Sequence, residues 1–423
     1  MSGNDRKRVL MLLSPQSYRN AAFLKASERL DLDVIKAIDV PEALAREWGV
    51  ELGIEFGKPD EAEPKLIEHL SDQPPDAVIS LDDSATLLAS RVAARLNLPH
   101  NAPDAAVAAR DKWIMRQRLY EHGVRAPQAQ RFDLDAEPAE VAEHVRFPCV
   151  VKPNLLSGSR GVIRADNPDE LTKAFHRTRE ILKGDGFARD TAGILIEDYL
   201  PGIEVALEGI LTDGSLQVLA LFDKPDPLEG PYFEETIYTT PSKLPEEVQE
   251  DIARSTERAS AALGLRTGPV HAELRINEDG AWIIEIAGRS IGGLCSTILE
   301  FGTGQSLEEL ILRHAIGEQI TGQSRSDNAV GVMMIPIPKQ GILREVTGVE
   351  DARKVPAVTG VEISAKINHP IVPLPEGSSY LGFIFAQADD VDKVEAALRS
   401  AHELLNFRIS SQIRLSAQSA SSS

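Results

Sequence analysis

The stretch His271-Ala-Glu-Leu-Arg-Ile-Asn-Glu-Asp-Gly-Ala-Trp-Ile-Ile-Glu285 decides how this chain is read. It alternates as two strands joined by a turn. Asn277-Glu278-Asp279-Gly280 has the chemistry of a three-residue loop ending in a glycine that can take positive φ. Trp282, Ile284 and Ile286 are expected on one face of the second strand, and Ile283 and Glu285 on the other. With Asn277 and Ala281 flanking the loop, Glu273 and Glu285 stand opposite each other, Cβ atoms roughly 5 Å apart. Like charges so placed repel unless a cation lies between them. A plain solvated hairpin is the simpler reading, but the apolar neighbours Leu274, Ile284 and Ile286 argue against it. An oxygen-only pair suits Mg2+ or Mn2+ bridging phosphates.

The 423 residues suggest two or three domains. A formal charge of −20 argues against a general nucleic-acid or anionic-membrane surface, so basic residues grouped in a site do local work. Two cysteines, Cys149 and Cys295, exclude a disulfide framework and a thiolate metal cluster, and they suit a reducing cytoplasmic setting. The apolar run Val9 to Leu13 is too short for a signal peptide or a membrane span and reads as a buried first strand. Residues 415–423, rich in serine, are expected to be disordered.

Strands at residues 8–14, 33–38 and 77–81 alternate with helical patterns, which implies a mostly parallel α/β layer ending near Pro103. Asp82-Asp83-Ser84 supplies N-cap chemistry for a helix through Leu96. A further helix spans residues 111–121. The character then changes: a strand at 147–153, a small-residue hairpin loop at 154–162, a helix from Asn167 to about Leu182, and a strand at 193–197. An antiparallel pair and a helix at 245–263 precede the opening hairpin. From about 329 to 409 the pattern looks like a third, smaller α/β unit.

Four further segments carry chemistry, each with a plainer reading beside it. Lys152, in Val150-Val-Lys-Pro153, can place its ammonium on nucleotide phosphates. The backbone N–H groups of Ser157, Gly158, Ser159 and Gly161 can close over the same anion. The plainer reading is a strand and a flexible turn, and the Walker sequence is absent. In Ile194-Leu-Ile-Glu-Asp-Tyr-Leu-Pro-Gly-Ile-Glu204, backbone groups from Glu197 through Tyr199 to Leu200 can meet an adenine edge, and Glu204 can accept ribose hydroxyls. Alternatively these are solvated carboxylates at an ordinary strand end. Arg289, in Ala287-Gly-Arg-Ser-Ile-Gly-Gly293, can bind a carboxylate or phosphate bidentately, or be a surface arginine. His271 can touch substrate or be a packed strand histidine. Lys224 can be a third phosphate contact or a solvated turn lysine. Nothing resembles a Ser-His-Asp triad or a zinc signature.

Taken together and in this order, these segments resemble the carboxylate–amine ligases of the ATP-grasp superfamily. The phrase Glu285-Ile-Ala-Gly-Arg-Ser-Ile-Gly-Gly-Leu-Cys295 and the extra C-terminal unit look closest to bacterial L-amino acid ligases. The resemblance implies an α/β (α+β ATP-grasp) fold. A preATP-grasp α/β domain would occupy residues 1–110, and the ATP-grasp region 111–325, with its lid at about 125–200. A C-terminal ligase-associated α/β domain would occupy 326–414. It implies ATP and Mg2+ (or Mn2+) as cofactors. Lys112 and Lys152 would be the nucleotide lysines, Glu197 to Leu200 the adenine hinge, Glu204 the ribose acid, and Glu273 and Glu285 the metal ligands. Arg289 would stabilise an acyl-phosphate or hold the substrate carboxylate, with His271 a candidate base. Many relatives carry Glu-x-Asn at the second metal position, whereas residue 287 here is Ala. The implied reaction is ATP-dependent amide formation between small-molecule carboxylate and amine substrates, L-amino acids foremost. A ligase or carboxylase acting on another carboxylate, or a catalytically silent ATP-binding protein that Ala287 would favour, stays open. So does the oligomeric state, a homodimer being the commonest soluble assembly.

Overall fold

The computed structural model describes residues 6–50, 52–186, 191–320 and 325–411, so the tail at 415–423 lies outside the described residues. Four parallel strands open the chain, in the order Leu52–Gly53, Asp33–Ile38, Arg8–Leu13, Ala77–Ser80. Arg8–Leu13 lies inside the sheet and is covered on both faces, which is why it reads as an unbroken apolar run. Its alternate side chains serve two cores. Val9, Met11 and Leu13 pack with Phe23, while Leu10 and Leu12 pack with Leu66 and Leu88.

The expected N-cap at Asp82-Asp83-Ser84 is not formed. A 3-10 turn at Asp83–Ala85 leads into the helix Thr86–Arg95, and no side chain caps either. Those polar groups go elsewhere. Asp82 accepts from the Ser17 hydroxyl, Ser84 shares a hydrogen bond with Ser14, and Asp83 pairs with Arg289 of the distant site loop.

Eight strands form the central sheet, in the order Gly280–Ala287, Gly268–Asn277, Ile203–Thr212, Ser215–Asp223, Ile237–Thr240, Ala329–Ile335, Gly382–Ala388, Val358–Glu362. Every neighbouring pair is antiparallel. The last three strands belong to the segment expected as a separate C-terminal unit. They instead extend the same sheet through Ile237–Thr240, so a boundary near residue 325 crosses no gap in the hydrogen-bond ladder. A smaller antiparallel sheet lies above, ordered Ala129–Phe132, Ile194–Asp198, Cys149–Pro153, Ile163–Ala165. The helix Pro168–Gly184 packs Leu171, Ala174, Phe175 and Leu182 onto it. This smaller layer covers the segment expected as the lid, and is called the lid below. Among the described residues no helix is long and apolar enough to cross a membrane.

The first and last parts of the chain share one core. Phe383, fully buried on Gly382–Ala388, meets the Tyr18 ring edge-on at 5.5 Å and belongs to the cluster of Val9 and Met11. Phe383→Ala is expected to lower the unfolding free energy by about 3–5 kcal/mol. Denaturant titration measures this, and a loss below about 1 kcal/mol would contradict a shared core.

Candidate active site

The hairpin delivers its two carboxylates by a route the alternation does not show. Gly280 takes positive φ, at 107°, as expected. The ladder, however, pairs Asn277 with Gly280 and Ile276 with Ala281, one residue short of the expected register. A β-bulge between Glu273 and Leu274 skips Ile284 and restores the count, so Glu273 does face Glu285. The bulge also changes the faces. Ala281, Ile283 and Ile286 turn together into the core, while Ile284 and Glu285 line the cleft. The expected grouping of Ile286 with Trp282 and Ile284 is therefore corrected.

Behind the lid lies a buried set of charges. Lys112 begins the helix Lys112–Glu121, capped by Asp111, whose carboxylate accepts from the N–H groups of Trp113 and Ile114. Arg116, four residues on, occupies the same helix face. Its guanidinium lies 2.8 Å from Glu197 and donates to the carbonyl of Ile284 at 2.6 Å. Lys152 Nζ reaches Glu197 at 2.6 Å. Burial, with Arg116 and Lys112 close by, lowers the Lys152 ammonium to about 8 despite Glu197. Burial works against ionised Glu197, but Arg116 and Lys152 outweigh it and hold the carboxyl below its ordinary range. The Glu197 side chain thus faces inward and neutralises cations, and its backbone lies between Ala129 and Val150 in the smaller sheet. Lys112 Nζ donates to the Leu156 carbonyl at 2.7 Å and to Glu285 at 3.1 Å, tying the lid loop to the hairpin.

A second set surrounds Lys224, which is buried behind three carboxylates. Its ammonium binds Glu204 at 2.8 Å, Glu235, and Glu273 at 3.7 Å. Glu204 also accepts from Arg275 Nε at 3.1 Å, and Arg275 donates to the Leu200 carbonyl at 2.9 Å. Burial would raise Glu273, but Lys224 and His271 hold it far below the usual carboxylate range.

The third set joins the hairpin to the first sheet. His271 puts Nδ1 3.1 Å from Glu208 and Nε2 3.6 Å from Glu273, so carboxylates face both ring nitrogens. Against its burial, those two carboxylates raise the imidazole to about 9. Arg289 donates to Asp83 at 2.7 Å and to the Ser290 carbonyl at 3.0 Å. Asp83 keeps that guanidinium charged in spite of burial.

These sets meet in an open cleft of about 950 Å3 between the lid and the central sheet. All sequence-expected site residues line it except Gly161 and Lys224. Gly161 donates its N–H to the Pro375 carbonyl at 2.9 Å, so that group is withdrawn from any anion. Lys224 sits behind the carboxylates rather than on the surface. Arg116, Glu235, Asp83, Glu208 and Arg275 were missed. Only Arg116 carried a usable signal, its four-residue spacing from Lys112. A nucleoside triphosphate fits the donor set, since Lys112 and Lys152 flank the small-residue loop and Arg275 links Glu204 to the Leu200 carbonyl, in the segment expected as the hinge. A divalent cation fits the opposed pair Glu273 and Glu285, both partly open to the cleft. Ala287 adds no oxygen.

Residues 145–298 match the ATP-grasp domain family and residues 333–410 the L-amino acid ligase C-terminal domain 2. The chain is similar to the alanine–anticapsin ligase of Bacillus subtilis (strain 168), 28% identical over 51% of this chain and 49% of that protein. It is similar to carnosine synthase 1 of Gallus gallus, 29% identical over 52% of this chain and 25% of that protein. The chain thus spans about half the length, or less, of these curated relatives. The L-amino acid ligase of Bacillus licheniformis superposes with a TM-score of 0.81 at 26% identity, over 96% of this chain and 100% of that one.

Glu197→Gln would leave Arg116 and Lys152 buried without their counter-charge. It is expected to destabilise the protein by about 3–5 kcal/mol, read as a lowered denaturant midpoint. An unchanged midpoint would mean that Glu197 does not neutralise the pair.

Proposed function

For this chain, an ATP-grasp protein with an L-amino acid ligase C-terminal domain, we propose ATP-dependent carboxylate–amine ligation with L-amino acids as substrates. The observation that carries the reading is the opposed pair Glu273 and Glu285, which share one cleft with Lys112, His271 and Arg289 while Lys224 backs Glu273 from behind. Such a site sets cations beside paired carboxylates, an arrangement that suits a polyphosphate together with its divalent cation.

A substrate carboxylate oxygen attacks the γ-phosphorus of ATP. The new O–P bond forms as the bond to the β-phosphate oxygen breaks, which gives an acyl-phosphate and ADP. An amine then attacks the acyl carbon. The C–N bond forms, phosphate leaves, and the amine releases one proton. Such transfers depend on positioning and charge neutralisation more than on a protein nucleophile. Lys152 and Lys112 hold the phosphates, Lys112 also fixing the start of the lid loop. Arg289, braced by Asp83 and lining the cleft, binds the carboxylate or its phosphate. Glu273 and Glu285 would hold Mg2+ (or Mn2+), which when bound supplies charge neutralisation on the phosphate oxygens. Because carboxylates engage both nitrogens of His271, we assign it to orienting Glu273 rather than to taking the amine's proton. A covered lid loop excludes water from the acyl-phosphate.

Two results test this. Glu285→Gln is expected to reduce amino-acid-dependent ADP release by about a hundredfold or more, since a metal contributes several kcal/mol, with the unfolding midpoint retained. Undiminished turnover would remove Glu285 from the metal site. Lys152 loses its proton as pH rises through about 8, so its attraction for phosphate is complete below that pH and fades above it. MgADP affinity is therefore expected to fall on the alkaline side. An affinity constant from about pH 7 to about pH 9.5 would contradict the lysine's role.

A further inference from the structure

We propose that Glu376, in the C-terminal unit, and Arg177, on the lid helix Pro168–Gly184, are positioning residues that latch the loop 157–161 over the cleft. The inference rests on the ATP-binding reading above and concerns what holds that loop in place. The loop's own backbone is ill suited to hold itself. Gly158, Ser159 and Gly161 all have positive φ, at 64°, 55° and 73°, and Ser159 is a residue type that rarely adopts it. The hold comes from outside, from two sides.

On the cleft side, Lys112 binds the Leu156 carbonyl at 2.7 Å. On the outer side, residues 375–378 of the C-terminal unit grip the loop. The Gly161 N–H donates to the Pro375 carbonyl at 2.9 Å, and Arg160 Nε donates to the Glu376 carbonyl at 2.6 Å. The Glu376 carboxylate in turn takes the fork of Arg177, Nη2 to Oε2 at 2.8 Å and Nε to Oε1. Arg160 completes the ring with its own fork to Asp185, just past the lid helix, at 2.5 and 2.8 Å. Arg177 donates to the Tyr232 hydroxyl and lies over its ring, and Tyr232 bridges to Ile163 at the loop's far end. The gripping turn is tight. A Cβ on Gly377 would stand 1.8 Å from the Val372 carbonyl oxygen, so the turn has one shape to offer.

An isolated exposed ion pair contributes little to stability, and Arg177 and Glu376 are each about 40% exposed. The pair differs from an ordinary surface bridge in what it fixes. One residue, Glu376, engages the loop through its carbonyl and the lid helix through its carboxylate. Loss of the carboxylate unties the gripping turn from the lid helix, and so loosens the turn's hold on the loop, without opening a core. The C-terminal unit then acts on catalysis at a distance, by keeping the N–H groups of Ser157 to Ser159 at the nucleotide and keeping water out.

The test compares the full chain with Glu376→Gln, Arg177→Ala and the double charge exchange Arg177→Glu with Glu376→Arg. The probes are magnesium adenylyl imidodiphosphate for affinity and trypsin for cutting after Arg160. Each single variant is expected to bind the nucleotide about tenfold more weakly and to be cut at Arg160 faster in its presence. Their unfolding midpoints should match the parent, and the exchanged pair should recover affinity and protection. Glu376→Gln keeps the side chain's shape, so it remains informative if Arg177→Ala misfolds. Single variants that bind and resist trypsin like the parent would overturn the latch, as would weakened singles that the charge exchange does not rescue. A parent chain that fails to bind the nucleotide would instead overturn the ATP reading itself.

Discussion

Two carboxylates forced together on neighbouring strands set the terms for the rest of this protein. A bulge at Ile284 puts Glu285 directly opposite Glu273, and that repulsion is met by His271 on the hairpin itself and by cations from beyond it. Lys112 comes from the helix that precedes the lid. Lys224 comes from the end of Ser215–Asp223 in the same sheet. Arg289 reaches back to Asp83 at the edge of the first sheet. Each cation ties the hairpin to a different part of the chain, so the packing of the units and the electrostatics of the cleft are one problem with one solution.

That solution runs against the chain's overall character. At a formal −20 the molecule is acidic, yet Lys112, Arg116, Lys152 and Lys224 are all buried near one cleft. Burying paired charges gives little net stability and often less than apolar residues of the same size would. Lys152 shows the tension directly, its ammonium pushed down toward neutrality by burial. A site that keeps such charges is organised for an anionic ligand rather than for its own stability, and a polyphosphate with a carboxylate beside it answers to that description.

Much of this was legible in the sequence, and the reasons for the gaps are physical. The opposition of Glu273 and Glu285 was reached correctly, but two departures cancelled: a shorter ladder register at the turn and a bulge that alternation does not mark. Lys152 and the small-residue loop announced themselves through composition. Asp83 was misread because a helix cap and a salt-bridge partner need the same residue type. Glu235 sits in an irregular loop, where no period exists to locate it. The merging of the C-terminal strands into the central sheet depends on Ile237–Thr240 pairing with Ala329–Ile335, about ninety residues apart in sequence. Local pattern carries no information about so distant a partner, and for the same reason the contact of Pro375 and Glu376 with the lid loop was out of reach.

The most direct test of carboxylate activation by phosphorylation is an isotope transfer. A panel of amino acids labelled with 18O in the carboxylate would be paired with amines and ATP, and the phosphate released with the amide examined by mass spectrometry. One labelled oxygen per amide formed is expected in inorganic phosphate, with ADP as the nucleotide product. Unlabelled phosphate, or label carried into AMP, would contradict an acyl-phosphate formed at Glu273 and Glu285.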